Sequence, residues 1–298
     1  MALADFLSAM RVLILDGPAL PEAAAERRRS LAERFPRLSQ MEIDDLATLP
    51  PDRLQVYSDL VFGGERSMLR WAFPMTFAAI QAIDPSTDLA RLVRDLHHHR
   101  TWHSASSREL ARIFQAYLIE DRRDLIERWP GLADLADYER TDLEVFYAAD
   151  VPYAPWNSDE ESRLRALSVE ALLNQRVFRP TYAAVREFSV DVLVIVDQWR
   201  ASQSLPTPLP PPTKGSAACG RAPANLMPAW VRLTPAGLAA LSAVNPDVPT
   251  CLNDLAGRYV ESVAVSPSLS EERIFADFYA DLTRWLSAGV LLRVPEDR

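Results

Sequence analysis

Leu132-Ala133-Asp134-Leu135-Ala136-Asp137-Tyr138-Glu139-Arg140, running on to Leu143 and Phe146, is the stretch from which the rest of the chain can be read. Leu132, Leu135, Ala136, Leu143 and Phe146 recur at helical intervals, which predicts a helix from about Leu132 to Ala149 with one apolar face. Glu139 falls in the middle of that face. A carboxylate is rarely buried without a partner, so Glu139 is either half of a structural pair or a site carboxylate. Arg53 and Tyr57, on another predicted helix, are the candidate partners. With a buried cation opposite, loss of Glu139 would cost roughly 3–5 kcal/mol.

Toward the N-terminus the texture stays helical. Leu3, Phe6, Leu7, Met10 and Leu13 keep a helical period until Asp16-Gly17-Pro18, and Ala23 to Phe35 forms a second helix ended by Pro36. Pro50-Pro51-Asp52 opens a longer one in which Leu54, Tyr57, Val61 and Met68 recur. Gly63-Gly64 weakens its middle, and Phe73-Pro74 ends or kinks it. Ser106-Ser107-Arg108-Glu109 has the spacing of a reciprocal capping box, with Leu110, Ile113, Phe114 and Tyr117 behind it. Residues 1–156 are predicted to form a helical domain.

Toward the C-terminus the pattern changes. Gln175 to Phe188 suits a strand bent at Pro180, and Val190 to Trp199, ambiguous from its β-branched content, is taken as a helix. Residues 157–201 are expected to join the C-terminal domain. Ser202 to Pro228 holds seven prolines and two glycines, with Cys219 among them, and is predicted to be a mobile, extended linker or long loop. Residues 229–298 then give a strand at Trp230–Leu233, a helix opened by Thr234-Pro235, further helices over Thr250–Val260 and Ser270–Ser287, a stop at Gly289 and a strand at Val290–Val294. That is the order of a winged helix-turn-helix. The expected class is mainly α with a small α+β part: a helical N-terminal domain and a winged-helix-like recognition domain.

Composition narrows the function. The 298 residues are 48% hydrophobic and 24% charged, the balance of an ordinary globular protein rather than a disordered one. Cys219 and Cys251 are too few for a disulfide scaffold or a four-thiolate zinc site. The N-terminus has no targeting pattern, and the longest aliphatic run, Val192–Val196, is far short of the ~20 residues a membrane span needs. A cytoplasmic protein with reduced thiols and no membrane partner is expected.

Few residues suggest chemistry. All four histidines lie between His97 and His103. His99 and His103 share a helical face with Asp95, which makes them weak metal candidates. The alternative is a solvated helix end, where cations meet the negative end of the dipole. No phosphate-cradling glycine loop, carboxylate pair or nucleophilic triad is present, so the chain is not expected to catalyse a reaction or hold a cofactor by itself. The net charge of −9 opposes nucleic-acid binding. From Ala229 onward six arginines face nine carboxylates, and Asp277 and Asp281 lie on the third helix. Capture of an extended peptide by strand addition needs no positive field. Trp230 and Arg232 would flank the added strand, and Phe275, Phe278 and Tyr279 would supply side-chain pockets.

Arg53-Leu54-Gln55-Val56-Tyr57, Phe73-Pro74, Leu132 to Glu139, Ala148-Ala149-Asp150, Pro180, Trp199-Arg200-Ala201 and Trp285 to Leu291 stand in an order that resembles HvfC-type proteins, the group that includes MbnC and TglI. Ser58 and Arg179 depart from the arginine and histidine usual in that family. The resemblance implies a non-catalytic subunit paired with a TIM-barrel enzyme that carries two or three non-haem irons. It also implies binding of the leader of a ribosomally made precursor peptide whose cysteine the pair oxidises. The length and the proline-rich insert point toward a TglI-like member, whose partner excises the cysteine β-carbon to give a 3-thiaglutamate-type product. A DNA-binding regulator is the alternative.

Overall fold

A computed structural model describes residues 3–16, 23–100, 106–151, 156–263 and 270–294. The first half is helical: α1 (Leu3–Asp16), α2 (Ala24–Arg34), α3 (Gln40–Ala47), α4 (Pro51–Ala72), α5 (Pro74–Ile83), α6 (Leu89–His99), α7 (Ser107–Glu120), α8 (Arg123–Arg128) and α9 (Gly131–Phe146). There follow α10 (Ser158–Ala166), α11 (Val169–Leu173), β1 (Arg176–Phe178), β2 (Ala184–Phe188), α12 (Val192–Ser202), β3 (Gly215–Arg221) and β4 (Pro228–Arg232). The last elements are α13 (Pro235–Ser242), β5 (Thr250–Cys251), α14 (Leu252–Val263), α15 (Glu271–Ser287) and β6 (Leu292–Arg293). The chain is mainly helical, with two small three-stranded antiparallel sheets in its C-terminal half.

Local chemistry sets the breaks. Phe73, ahead of a proline and so disfavoured in the α region, takes φ −130° and ψ 48°; Pro74 then opens α5, where its missing N–H removes no helical bond. Gly63 and Gly64 stay inside α4. The buried seam of α4 is Leu54, Ser58, Phe62 and Leu69, one residue on from the expected Tyr57, Val61 and Met68. Tyr57 and Val61 are exposed, because the small, polar Ser58 hides the true seam from a hydrophobic count. A reciprocal capping box forms at Ser39–Glu42 on α3; Ser106 occupies the N-cap of α7 without a side-chain cap bond.

The expected linker contains a sheet centre. Gly215–Arg221 is β3, the middle strand of the order β2-β3-β4. Cys219 is fully buried there rather than mobile, and burial raises its thiol pKa well above the usual range. Glycine, serine and alanine carry no alternating hydrophobic signal, yet β3 is apolar on both faces. Ala217 faces the large helical core and Ala218 the C-terminal core. Close approach explains the small residues. A Cβ on Gly220 would stand 2.3 Å from the Gly289 carbonyl carbon, and one on Gly289 (φ +66°) 1.9 Å from the Arg221 oxygen. The proline-rich run before β3 is pinned as well: Trp129 Nε1 donates to the Pro210 carbonyl at 3.0 Å, and Leu205 is buried.

The bent strand expected over Gln175–Phe188 divides at Pro180 into β1 and β2, which join different sheets. Thr250–Cys251 pairs with β1 as β5, so the helix expected from Thr250 begins at Leu252. Strand, three helices and terminal strand occur in the anticipated order, but β4 lies in one sheet and β6 pairs with β1 in the other. A third, smaller core gathers Leu13, Leu31, Ile43 and Leu54 at the N-terminal end.

Candidate peptide-recognition edge

The acidic residues of α9 bond to several of the elements packed around it. Asp134 Oδ2 accepts from the Ser189 and Val190 amides at 2.7 and 2.9 Å and from Ser189 Oγ at 2.6 Å. Asp137 accepts from Arg186, Arg140 and Gln115. Burial would raise its pKa, but the two arginines hold it below the ordinary carboxylate value. At the other end, Arg221 from β3 donates to the carbonyls of Val145 and Ala148, closing the α9 C-terminus where unpaired carbonyls favour a cation. Its guanidinium also lies over the Tyr182 ring, 5.1 Å from the centroid.

Glu139 is buried, as its place on the apolar face required, but its partners are not Arg53 and Tyr57, both of which are exposed. Its oxygens accept from the Met75 amide at 2.8 Å, the Thr76 amide at 3.0 Å and Thr76 Oγ1 at 2.7 Å. These amides belong to the first turn of α5, and the N-cap residue Phe73 has no side-chain acceptor to offer them. Glu139 therefore caps α5 from a distance of 64 residues in sequence. The partner is a helix end, not a cation. Burial pushes the Glu139 pKa up to about 8, against the three donors that favour the carboxylate.

Trp230 is held against α9. Its ring stacks on Tyr138 with centroids 4.5 Å apart, and Nε1 donates to Asp142 at 3.0 Å. Burial raises the Asp142 pKa and the Trp230 bond lowers it, with a net upward shift. Arg232 is half exposed and pairs with Asp191. Phe278 is 1% exposed and sits in the C-terminal core, with Phe275 and Tyr279 packed at its margin. Asp281 is buried and accepts from Tyr259 at 2.8 Å and Thr234 Oγ1 at 3.2 Å, tying α13, α14 and α15 together.

What remains accessible is backbone. β4 is an edge strand. The Leu233 amide donates to Ser216 at 2.8 Å and the Met227 carbonyl accepts from Ala222 at 2.9 Å. With the register Cys219↔Trp230 and Ala217↔Arg232, these bonds turn the amides and carbonyls of Trp230 and Arg232 to the free side. Among the described residues no strand pairs there. At the start of this edge a cavity of about 270 Å³ lies between Trp71, Phe146, Met227 and Pro228, with Glu139 and Asp142 at its polar floor. Trp71 is 61%, Met227 48% and Phe146 42% exposed. Phe146, expected inward, lies on the rim. Nothing in the sequence signalled this pocket, because Phe146 falls on the apolar period of α9.

The histidines do not converge. His97 is buried, pairs with Glu65 and meets Phe62 edge-on at 5.1 Å. His99 is half exposed, with Nδ1 3.0 Å from the Asp95 carbonyl oxygen; His103 lies outside the described residues. Among the described residues no three histidine, cysteine or carboxylate side chains are placed to hold a metal ion. No described helix is long and apolar enough to cross a membrane. Compared with protein-family models and with curated protein sequences, the chain matches none.

Proposed function

We propose that this chain is the peptide-binding, non-catalytic subunit of a peptide-modifying oxidase. It takes the leader of a ribosomally made precursor as an added strand on β4 and presents the peptide's cysteine to a TIM-barrel partner enzyme carrying the multinuclear iron. The free β4 edge carries the reading: its outward amides and carbonyls at Trp230 and Arg232 match the alternating donors and acceptors of any extended chain. The apolar cavity beside Pro228 offers a seat for one side chain of that strand. Stacking on Tyr138 and the bond to Asp142 hold the edge rigid, so little ordering is required when peptide binds. Tethering of this kind raises the effective concentration of the reactive end to about millimolar when the spacer fits. The resemblance to HvfC-type proteins supplies the partner, its iron and the 3-thiaglutamate-type outcome.

The test is co-expression with an iron enzyme encoded beside this chain, followed by titration of a labelled candidate precursor. A stoichiometric complex that binds the precursor is expected. Arg232→Pro removes an outward amide from an edge strand, where proline is tolerated; peptide affinity should fall about tenfold or more, with the enzyme still bound. Two outcomes overturn the proposal: a chain that ignores the enzyme and every precursor, or one that binds duplex DNA with steep salt dependence.

A further inference from the structure

A second feature, independent of the β4 edge, lies on the opposite side of the same sheet. A cavity of about 610 Å³ opens between α7, α9 and the turn from β1 to β2. Arg108, Arg112, Arg179 and Arg186 line it, and Glu144 is the one carboxylate among its described lining residues. In a chain of net charge −9 this is an inverted charge balance.

Some of these cations have structural work. Arg112 pairs with Glu144, and Arg186 with Asp137. Arg179 is different: among the described residues its guanidinium donates only to the carbonyls of Val244 and Ala183, and no carboxylate neutralises it. Burial, together with the Arg186 charge, lowers its pKa. Arg108, in the first turn of α7, is also without a carboxylate among the described residues.

The second observation is Thr141. It is 1% exposed, lines the cavity, and its hydroxyl has no hydrogen-bond partner among the described residues. A helical hydroxyl ordinarily donates to the carbonyl four residues back, as Ser67, Ser162 and Thr283 do in this chain. Thr141 does not. An unmet buried hydroxyl destabilises the fold, a cost that a bound acceptor would remove. Shielding of the β2 edge accounts for Arg179 and Arg186 but for neither Arg108 nor Thr141.

We propose that the cavity is an oxyanion site, in which Arg108 and Arg179 clamp a carboxylate or phosphate group and Thr141 donates a further hydrogen bond to it. Guanidinium forks match both anions in geometry, so the source is decided by experiment. The full chain is titrated calorimetrically with sodium phosphate and, separately, with citrate, each against sodium chloride at equal ionic strength. Heat-denaturation midpoints are recorded in parallel. Saturable binding of phosphate, of citrate or of both is expected, and the stronger one names the chemistry. Arg108→Gln and Thr141→Val should each weaken it about tenfold. Thr141→Val should leave the ligand-free protein equally or more stable, since it removes a hydroxyl without a partner. Binding no stronger than chloride's overturns the proposal. So does equal affinity in the wild type and both variants, the mark of an adventitious ion only. Neither result bears on the β4 edge.

Discussion

β2 and β4 are the two outer strands of one sheet, and they are finished in opposite ways. At the β2 edge two outward carbonyls are covered: Arg186 donates to Val185 at 3.1 Å and Arg179 to Ala183, just before the strand, at 3.2 Å. Charged side chains folded over an edge are a common guard against unwanted strand pairing. Along β4 the side chains turn elsewhere, Trp230 onto α9 and Arg232 to Asp191, and the backbone is left open. One edge is guarded by arginines; the other is open, with an apolar pocket at its start. On the proposals above, an extended polypeptide adds along β4 and an oxyanion binds beside β2.

The largest effect should come from the crossing on which both edges depend. Gly289→Val puts a branched side chain at positive φ and against the Arg221 carbonyl, and should destabilise the fold by more than about 4 kcal/mol, read by denaturant melting. A stable variant would break the comparison at its root. Next, Glu139→Ala strands two α5 amides in the interior and should cost about 3 kcal/mol, with Glu139→Gln costing less. The pH dependence has a definite sign. The Glu139 pKa is raised from 4.5 to about 8 on folding, so the folded protein holds a proton there that the unfolded chain has lost. Its contribution is complete below 4.5 and declines as pH rises toward 8. The stability of the wild type relative to Glu139→Gln should fall across that window, and an unchanged difference would contradict the shift.

Trp230→Phe keeps the stack on Tyr138 but removes the donor to Asp142; a loss of about 2 kcal/mol is expected, again by denaturant melting. A sharper comparison of the edges sets Val185→Pro on β2 beside Arg232→Pro on β4. Peptide affinity should be unchanged in the first and about tenfold weaker in the second; equal losses would show that the two edges do not differ in function. The smallest effect belongs to Arg53→Ala, within about 0.5 kcal/mol of the wild type, since the exposed Arg53 is not the partner of Glu139.

Much of this architecture was legible in order of residues. The apolar period of α9, the break at Phe73-Pro74 and the capping residues Thr234 and Ser270 were readable because each acts within a turn or two of chain. The burial of Glu139 was readable too, since helical phase places a residue on a face whatever lies opposite. Its partner was not, because an α5 amide and an arginine satisfy a buried carboxylate equally well on paper. β3 escaped because small residues are selected there by the backbone of Gly289, which is 69 positions away from Gly220 and adjacent only after folding. The seam of α4 was misplaced by one residue because Ser58 is buried by its neighbours rather than by its own hydrophobicity.

By itself the sequence determined most of the helices, several of their caps and breaks, and which face of α9 meets the core, since those are contests among near neighbours along one chain. The tertiary structure alone decided which strands lie side by side, which acceptor a lone carboxylate serves and which edge of the sheet stays open. Those outcomes depend on groups far apart in the chain competing for the same hydrogen bonds and the same space, and that competition has no local pattern.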